Sequence, residues 1–211
     1  MVIFGTRGDD NLTGTDANDT LTAWPEGGDE SKDGNDTLNG LGGEDGLYGG
    51  AGDDRLLGGL GDDFFFGGED GDTILGQGDD DYLSGDSGDD VLSGGSGNDA
   101  LHGGDGKDKL KAGSGDNFLS GGAGDDALAG GSGSDVFYFG SGGARDVVTK
   151  FQDDLDTLQF DKDLGVSRIK DVLSAGEIEG GNAVFTFDDG ETVVVKGISD
   201  LSLLRNDIEI V

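Results

Sequence analysis

The 211-residue chain has no cysteine, one proline, one histidine and only 13 lysines and arginines. Each shortage closes off a class of function. Without cysteine there is no disulfide framework, thiolate nucleophile or thiolate metal site. His102 has no second histidine with which to build a transition-metal cage. No Ser-His-Asp set stands outside the repeated blocks described below. Aspartates and glutamates number 46, which leaves a net charge of −33. Such a chain cannot neutralise phosphates, so nucleic acids are excluded as partners, and so are anionic membrane surfaces. No stretch of eighteen apolar residues is present, so no membrane-spanning helix is predicted. Residues 1–6, MVIFGT, lack the basic region, long apolar core and small-residue cleavage site of a secretory signal. Apolar residues make up 32% of the chain. With this charge, that composition alone reads as disordered.

What the chain has is glycine, 46 residues of it, in strict register. Residues 40–138 divide without gap into eleven blocks of nine. Blocks 49–57, 58–66, 94–102 and 121–129 read GGAGDDRLL, GGLGDDFFF, GGSGNDALH and GGAGDDALA. The sixth place holds Asp45, Asp54, Asp63, Asp72, Asp81, Asp90, Asp99, Asp108, Asn117, Asp126 and Asp135. The eighth place is always Leu, Ile or Phe. Blocks 5–13, 14–22 and 31–39 repeat the pattern less strictly, with Asp10, Asp19 and Asp36 at the sixth place.

This pattern resembles the RTX nonapeptide, GGxGxDxUx. The resemblance implies an all-β fold, a right-handed parallel β-roll, and Ca²⁺ bound in its turns. It is strong for residues 31–138 and weaker for 139–211, which look like the mostly β capping segment that follows such arrays. The resemblance further implies export by a type I secretion apparatus, with an uncleaved signal near the C-terminus. The ending DIEIV is similar to such tails.

The residues support this reading on their own terms. Three residues follow each sixth-place aspartate, enough for one short strand. Side chains alternate faces along a strand, so the eighth residue points inward. One block makes one turn and one strand, and two blocks make a coil of eighteen residues. A single coil cannot bury its own leucine, whereas a stack can. Ca²⁺ takes six to eight oxygens from carboxylates and backbone carbonyls. The glycine-rich turns offer carbonyls, those of Gly50, Gly52, Gly59, Gly61, Gly95, Gly97, Gly122 and Gly124 among them, and the sixth-place residue adds charge. Ions are expected between each turn and the turn two blocks later, in two files of at most twelve in total. One file runs through Asp54, Asp72, Asp90, Asp108 and Asp126. The other runs through Asp45, Asp63, Asp81, Asp99 and Asp135, with Asn117 as a neutral, weaker member. Lys107, Lys109 and Lys111 crowd one block and are expected to weaken its site.

Two domains are expected: the roll at 1–138, interrupted by an insertion at 23–30, and the capping segment at 139–211. The insertion holds the only tryptophan, Trp24, read as a packing residue on the flank of the first coils. Outward places of alternate blocks carry Tyr48, Phe64, Phe66, Tyr82, His102, Phe118 and Tyr138. An aromatic face of this kind marks a contact surface. Tyr48, Phe64, Phe66 and Tyr82 form the candidate ligand face, while the C-terminal segment is expected to fold back over Phe118 and Tyr138. In the segment itself, strands are predicted at 145–151, 156–160 and 208–211, a hairpin at 183–196, and helices at 166–174 and 199–204.

The function expected is therefore a secreted, extracellular, non-catalytic calcium-binding protein that folds as it takes up Ca²⁺. Two alternatives stand beside it. One is an accessory module of a secreted protease, lipase or mannuronan epimerase. The other is adhesion to a carbohydrate or cell-surface partner through the aromatic face.

Overall fold

The structure is a computed structural model that describes residues 1–25, 34–142, 144–152, 154–188 and 190–211. Each block sets a strand by placing its eighth, apolar residue on the inward face between two outward-facing ones. The strands nevertheless run longer than three residues. In the array they cover six, from the seventh place of one block to the third place of the next, as in Gly46–Ala51, Arg55–Leu60 and Ala127–Ser132. The glycines join because each pairs with its equivalent two blocks away, as Gly50 does with Gly68 and Gly95 with Gly113. A backbone ladder needs no side chain to form.

Strands two blocks apart pair in parallel at an offset of eighteen residues, aligning Leu47 with Phe65, Leu56 with Ile74 and Leu92 with Leu110. Consecutive blocks therefore alternate between two sheets. Among the described residues these contain ten and eleven strands. The eighth-place residues meet between the sheets in one continuous core. From Leu21 to Phe137 none is more than 2% exposed. Burying each such side chain contributes roughly 1.5–3 kcal/mol.

At the N-terminal end, Val2–Phe4 pairs with Thr20–Thr22 and lays Ile3 against the core. Trp24 is partly buried and stands edge-on to Tyr48 with ring centroids 6.4 Å apart, so it packs on the flank as expected. Residues 26–33, most of the insertion and the start of block 31–39, lie outside the described residues.

Beyond Tyr138 the nine-residue period ends but the sheets continue. Arg145–Thr149 adds in parallel beside Ala127–Ser132, and Thr157–Phe160 beside Val136–Phe139. Ile208–Ile210 then extends the first sheet. Thr192–Val195 extends the second and forms an antiparallel hairpin with Asn182–Thr186, to which Gly176–Glu179 is added. Helical turns cover Lys162–Leu164, which was not expected, and Ile169–Ala175 and Leu203–Asn206, each displaced a few residues along the chain from its expected place. Phe160 stacks on Phe139 and meets Phe185 and Phe187 at a tilt, with ring centroids 5.4–5.9 Å apart, at the end of the leucine file.

The C-terminal segment thus extends the roll along its axis and does not fold back over the aromatic face. Among the described residues it reaches the last ring, where the Tyr138 hydroxyl donates to Asp161 at 2.8 Å. The outward rings instead cover one another. Tyr48, Phe66, Tyr82, His102, Phe118 and Tyr138 form a continuous ladder with centroids 5.4–6.1 Å apart. Phe64 leans on Tyr82 and stays 54% exposed.

Candidate metal centre

The sixth-place aspartates from Asp19 onward are inward-facing and buried. Asp45, Asp63, Asp72, Asp90, Asp108 and Asp135 are each at most 1% exposed. They form two ladders, one on each edge of the roll. In one, the backbone N–H of Asp54 donates to Asp72 Oδ1, that of Asp72 to Asp90 and that of Asp90 to Asp108, at 2.7–2.9 Å. In the other, Asp45, Asp63, Asp81, Asp99, Asn117 and Asp135 are linked the same way at 2.8–3.1 Å. The memberships are those expected from the sequence.

Most of these carboxylates have a second oxygen that meets no donor. Oδ2 of Asp45, Asp63, Asp72, Asp81, Asp90, Asp99, Asp108, Asp126 and Asp135 is fully buried without a hydrogen-bond partner. A buried, uncompensated carboxylate oxygen is costly, and the ionisation equilibria reflect it. Burial, reinforced by neighbouring carboxylates such as Asp54 and Asp90, pushes Asp72 up to about 8. Asp81 is likewise raised to about 8, Asp63 and Asp108 to about 7, and Asp90, Asp99 and Asp126 to about 6. In every case burial is the leading cause, and the bond from the backbone N–H below opposes it.

The first-place glycine shows what surrounds that oxygen. A Cβ on Gly85 would fall onto Asp90 Oδ2 and lie 2.6 Å from the carbonyl oxygen of Gly103. At Gly67 the pair is Asp72 Oδ2 and the Gly85 carbonyl at 2.7 Å, and at Gly76 it is Asp81 Oδ2 and the Gly94 carbonyl at 2.8 Å. A carboxylate oxygen and a carbonyl oxygen from the next coil therefore converge where glycine leaves room. Among the described residues no three His, Asp or Glu side chains converge to hold a metal. The donors are one carboxylate per turn plus backbone oxygens, all hard, and the unsatisfied atoms are all acceptors. These residues fit Ca²⁺, and a bound ion would supply the positive charge that the buried oxygens lack.

The glycines expected as carbonyl donors all have positive φ, but Gly50, Gly59, Gly95 and Gly122 lie in strands and only Gly52, Gly61, Gly97 and Gly124 in turns. Gly50, Gly52, Gly59, Gly61, Gly95, Gly97, Gly122 and Gly124 span 102° to 131°. Their carbonyls run along the stack, as those of Gly50, Gly95 and Gly97 do towards Gly68, Gly113 and Gly115. The first-place carbonyls, nearest the bare carboxylate oxygens, were not singled out from the sequence. Their signal was present: the first place is glycine in every block except those beginning at Ser31 and Ala112.

Three sixth-place residues differ. Asp10 Oδ2 accepts from the Thr6 N–H and hydroxyl at 2.5 and 2.9 Å, and Asp19 Oδ2 from those of Thr15 at 2.6 and 2.8 Å. The N-terminal ammonium also bonds to Asp19 and, as the leading cause, holds its carboxyl below the usual range. Asn117 donates from its amide to the Gly115 carbonyl at 2.9 Å and to Asp135 Oδ1 at 2.8 Å. Asp36 is buried in the same ladder and receives the Asp10 N–H.

Two further features escaped the sequence reading. The fifth place forms an outer ladder of opposite sense, in which the backbone N–H of Asp53, Asp80, Asn98 and Asp116 donates to the fifth-place side chain one coil earlier, at 2.6–3.1 Å. Frequent Asp and Asn at that place was its trace. The inner ladders also run past Tyr138, since the Asp126 N–H donates to Asp146 and that of Asp135 to Asp156, each at 3.0 Å. Asp146 and Asp156 each open a D-x-U-x run although the nine-residue spacing is lost. The lysines of block 103–111 point away from the ladder. Lys107 pairs with exposed Asp125 at 2.9 Å, and Lys109 and Lys111 are exposed.

Comparison with known proteins agrees with this geometry. The family model of the RTX calcium-binding nonapeptide repeat (four copies) matches residues 2–24, 31–65, 66–101 and 102–137, well over half of the chain. A search of curated proteins gives no match. Among solved structures, the crystal structure of extracellular lipase LipA from Serratia marcescens is similar at 18% identity with a TM-score of 0.44. That match covers 100% of this chain and 40% of the lipase, so the chain spans well under half of that protein's length. With buried aspartate files at an eighteen-residue offset and a family match along the same residues, this chain belongs to the RTX calcium-binding nonapeptide repeat family.

Proposed function

We propose that this chain is a secreted β-roll that folds on binding Ca²⁺ outside the cell and serves there as a non-catalytic binding or structural module. The observation that carries the reading is the double file of buried carboxylate oxygens without donors. At neutral pH such a core edge calls for cations to occupy it. Extracellular calcium modules typically bind at about 10⁻⁴–10⁻³ M, and cytosolic free Ca²⁺ lies well below that window. The chain would therefore stay open before export through a type I apparatus and close afterwards. Residues 139–211 would act as the segment that seals the open end of the roll, beginning where the nine-residue period stops. The sixth-place residues of the intact blocks, with turn carbonyls, would be the ligands. Circular dichroism with calcium raised from the micromolar to the millimolar range tests this. Appearance of sheet signal with uptake of several ions per chain is expected. Full sheet signal in excess chelator at neutral pH would refute it.

A second reading is favoured by the aromatic ladder. Trp24, Tyr48 and Phe66, with Glu69 and Asp86, line a groove on that face. Flat rings flanked by carboxylates suit stacking and hydrogen bonding to a sugar. Glycan-array binding lost on Tyr48→Ala and Phe66→Ala, with calcium uptake retained, would support carbohydrate adhesion. Equal array signals for the wild type and both variants would return the rings to packing.

A further inference from the structure

Block 112–120 departs from the pattern twice. Its first place is Ala112 where every other block from 40 to 138 has glycine, and its sixth place is Asn117 where every other has aspartate. The two changes occupy one locus. In the two adjacent blocks a first-place Cβ would land on Oδ2 of Asp108 or Asp126, and at Gly103 also against the Gly121 carbonyl oxygen. In this block a methyl group is there, fully buried. An aspartate in the usual pose would collide with it.

Asn117 resolves the conflict by changing which atoms face which. Its Oδ1 keeps the ladder, accepting the Asp99 N–H at 2.8 Å. Its amide nitrogen takes the other direction, donating to the turn carbonyl of Gly115 at 2.9 Å and to Asp135 Oδ1 at 2.8 Å. The block thus contains no bare carboxylate oxygen, and one of its turn carbonyls is already engaged. An amide N–H₂ also presents partial positive charge towards the oxygens that a cation would otherwise hold. The roll uses related devices at both ends, where threonine donors satisfy Asp10 and Asp19 and the Gln152 N–H donates to Asp156 Oδ2 at 2.8 Å.

We propose that block 112–120 is an ion-free rung, in which the Ala112 methyl fills the cation's space and the Asn117 amide replaces its charge. This rests on the calcium reading of the intact blocks. The file through Asp45, Asp63, Asp81 and Asp99 is then interrupted before Asp135, whereas the file through Asp72, Asp90, Asp108 and Asp126 is not. One edge then carries a continuous file and the other a broken one, and the coil beside the C-terminal segment is tied on one edge by protein alone.

The test is ion counting by equilibrium dialysis with elemental analysis, together with anomalous diffraction from calcium-loaded crystals. Ala112→Gly combined with Asn117→Asp restores the pattern and is expected to bind one more ion per chain than the wild type. Asn117→Asp alone, facing the methyl, is expected to bind no extra ion and to need more calcium to fold. Asp126→Asn, on the unbroken file, should lose one ion. A folded double variant with the wild-type count would overturn the proposal. So would an anomalous peak coordinated by Asn117 in the wild type, which decides the matter even if the double variant does not fold. A wild type that binds no calcium anywhere would instead remove the parent reading.

Discussion

Stripping calcium from this protein is expected to make its stability depend on pH in the sense opposite to that of most folds. The carboxyls of Asp63, Asp72, Asp81, Asp90, Asp99, Asp108 and Asp126 hold protons up to about 6–8 in the folded chain, against 3.8 ordinarily. Without metal, the folded state binds more protons than the unfolded state throughout that interval. The metal-free roll therefore keeps its full stability below about pH 4 and loses it steadily as pH rises through 6–8. Each carboxyl costs about 1.4 kcal/mol for each pH unit over which the folded chain keeps its proton, before relaxation and water entry reduce it. The residues repel one another, so the individual losses do not simply add, but a few of them together match the roughly 5–15 kcal/mol that holds a typical domain together. Chelated protein at low micromolar concentration should accordingly be expanded and sheet-poor at pH 7.5 and regain compactness near pH 4.5. Circular dichroism and analytical ultracentrifugation would follow the change. Calcium added near pH 4.5 to the compact metal-free protein, in an unbuffered sample, should release protons as it displaces them from these carboxyls. A chelated sample that is compact and sheet-rich at pH 7.5, or that unfolds on acidification, would refute the reasoning.

Other consequences are open to direct measurement. Gly85→Ala drives a Cβ into Asp90 Oδ2 and the Gly103 carbonyl, so it should cost about 1–3 kcal/mol and raise the calcium midpoint of folding several-fold; Gly8→Ala, with nothing within 4 Å, should leave that midpoint unchanged. Phe65→Ala removes a fully buried ring and should cost about 3–5 kcal/mol in urea unfolding at saturating calcium. Its neighbour Phe64, 54% exposed, should lose no more than about 0.5 kcal/mol on truncation. Lys107→Ala breaks a pair whose partners are both more than half exposed, and should change stability by less than about 1 kcal/mol with no loss of ions.

Much of the fold was legible because the repeat gives each place a single physical task. The eighth place is apolar and lies in the core, and the sixth is acidic and lies in the ladder. What escaped was whatever the backbone does without side chains. The strands gained three residues because glycine pairs with glycine through main-chain groups, and no propensity announces that. The course of the C-terminal segment was misjudged for a related reason. Loss of the nine-residue spacing hid the recurrence of D-x-U-x at Asp146 and Asp156, which carries both sheets onward instead of back over Phe118. The first-place carbonyls were overlooked because glycine reads as conformational freedom, whereas its use here is also the absence of a Cβ beside an oxygen. Ala112 was readable as a departure from the pattern, but its meaning needed the coordinates that place Asn117 across from it.

The lone indole at one extremity of the ring ladder gives the protein an intrinsic optical probe. Trp24 leans on Tyr48 beside the first coils, more than a hundred residues from the C-terminal segment, so its emission reports on that end and on nothing else. Compared in time with the amide signal of the whole roll, it would tell whether order starts at that end or arrives there last.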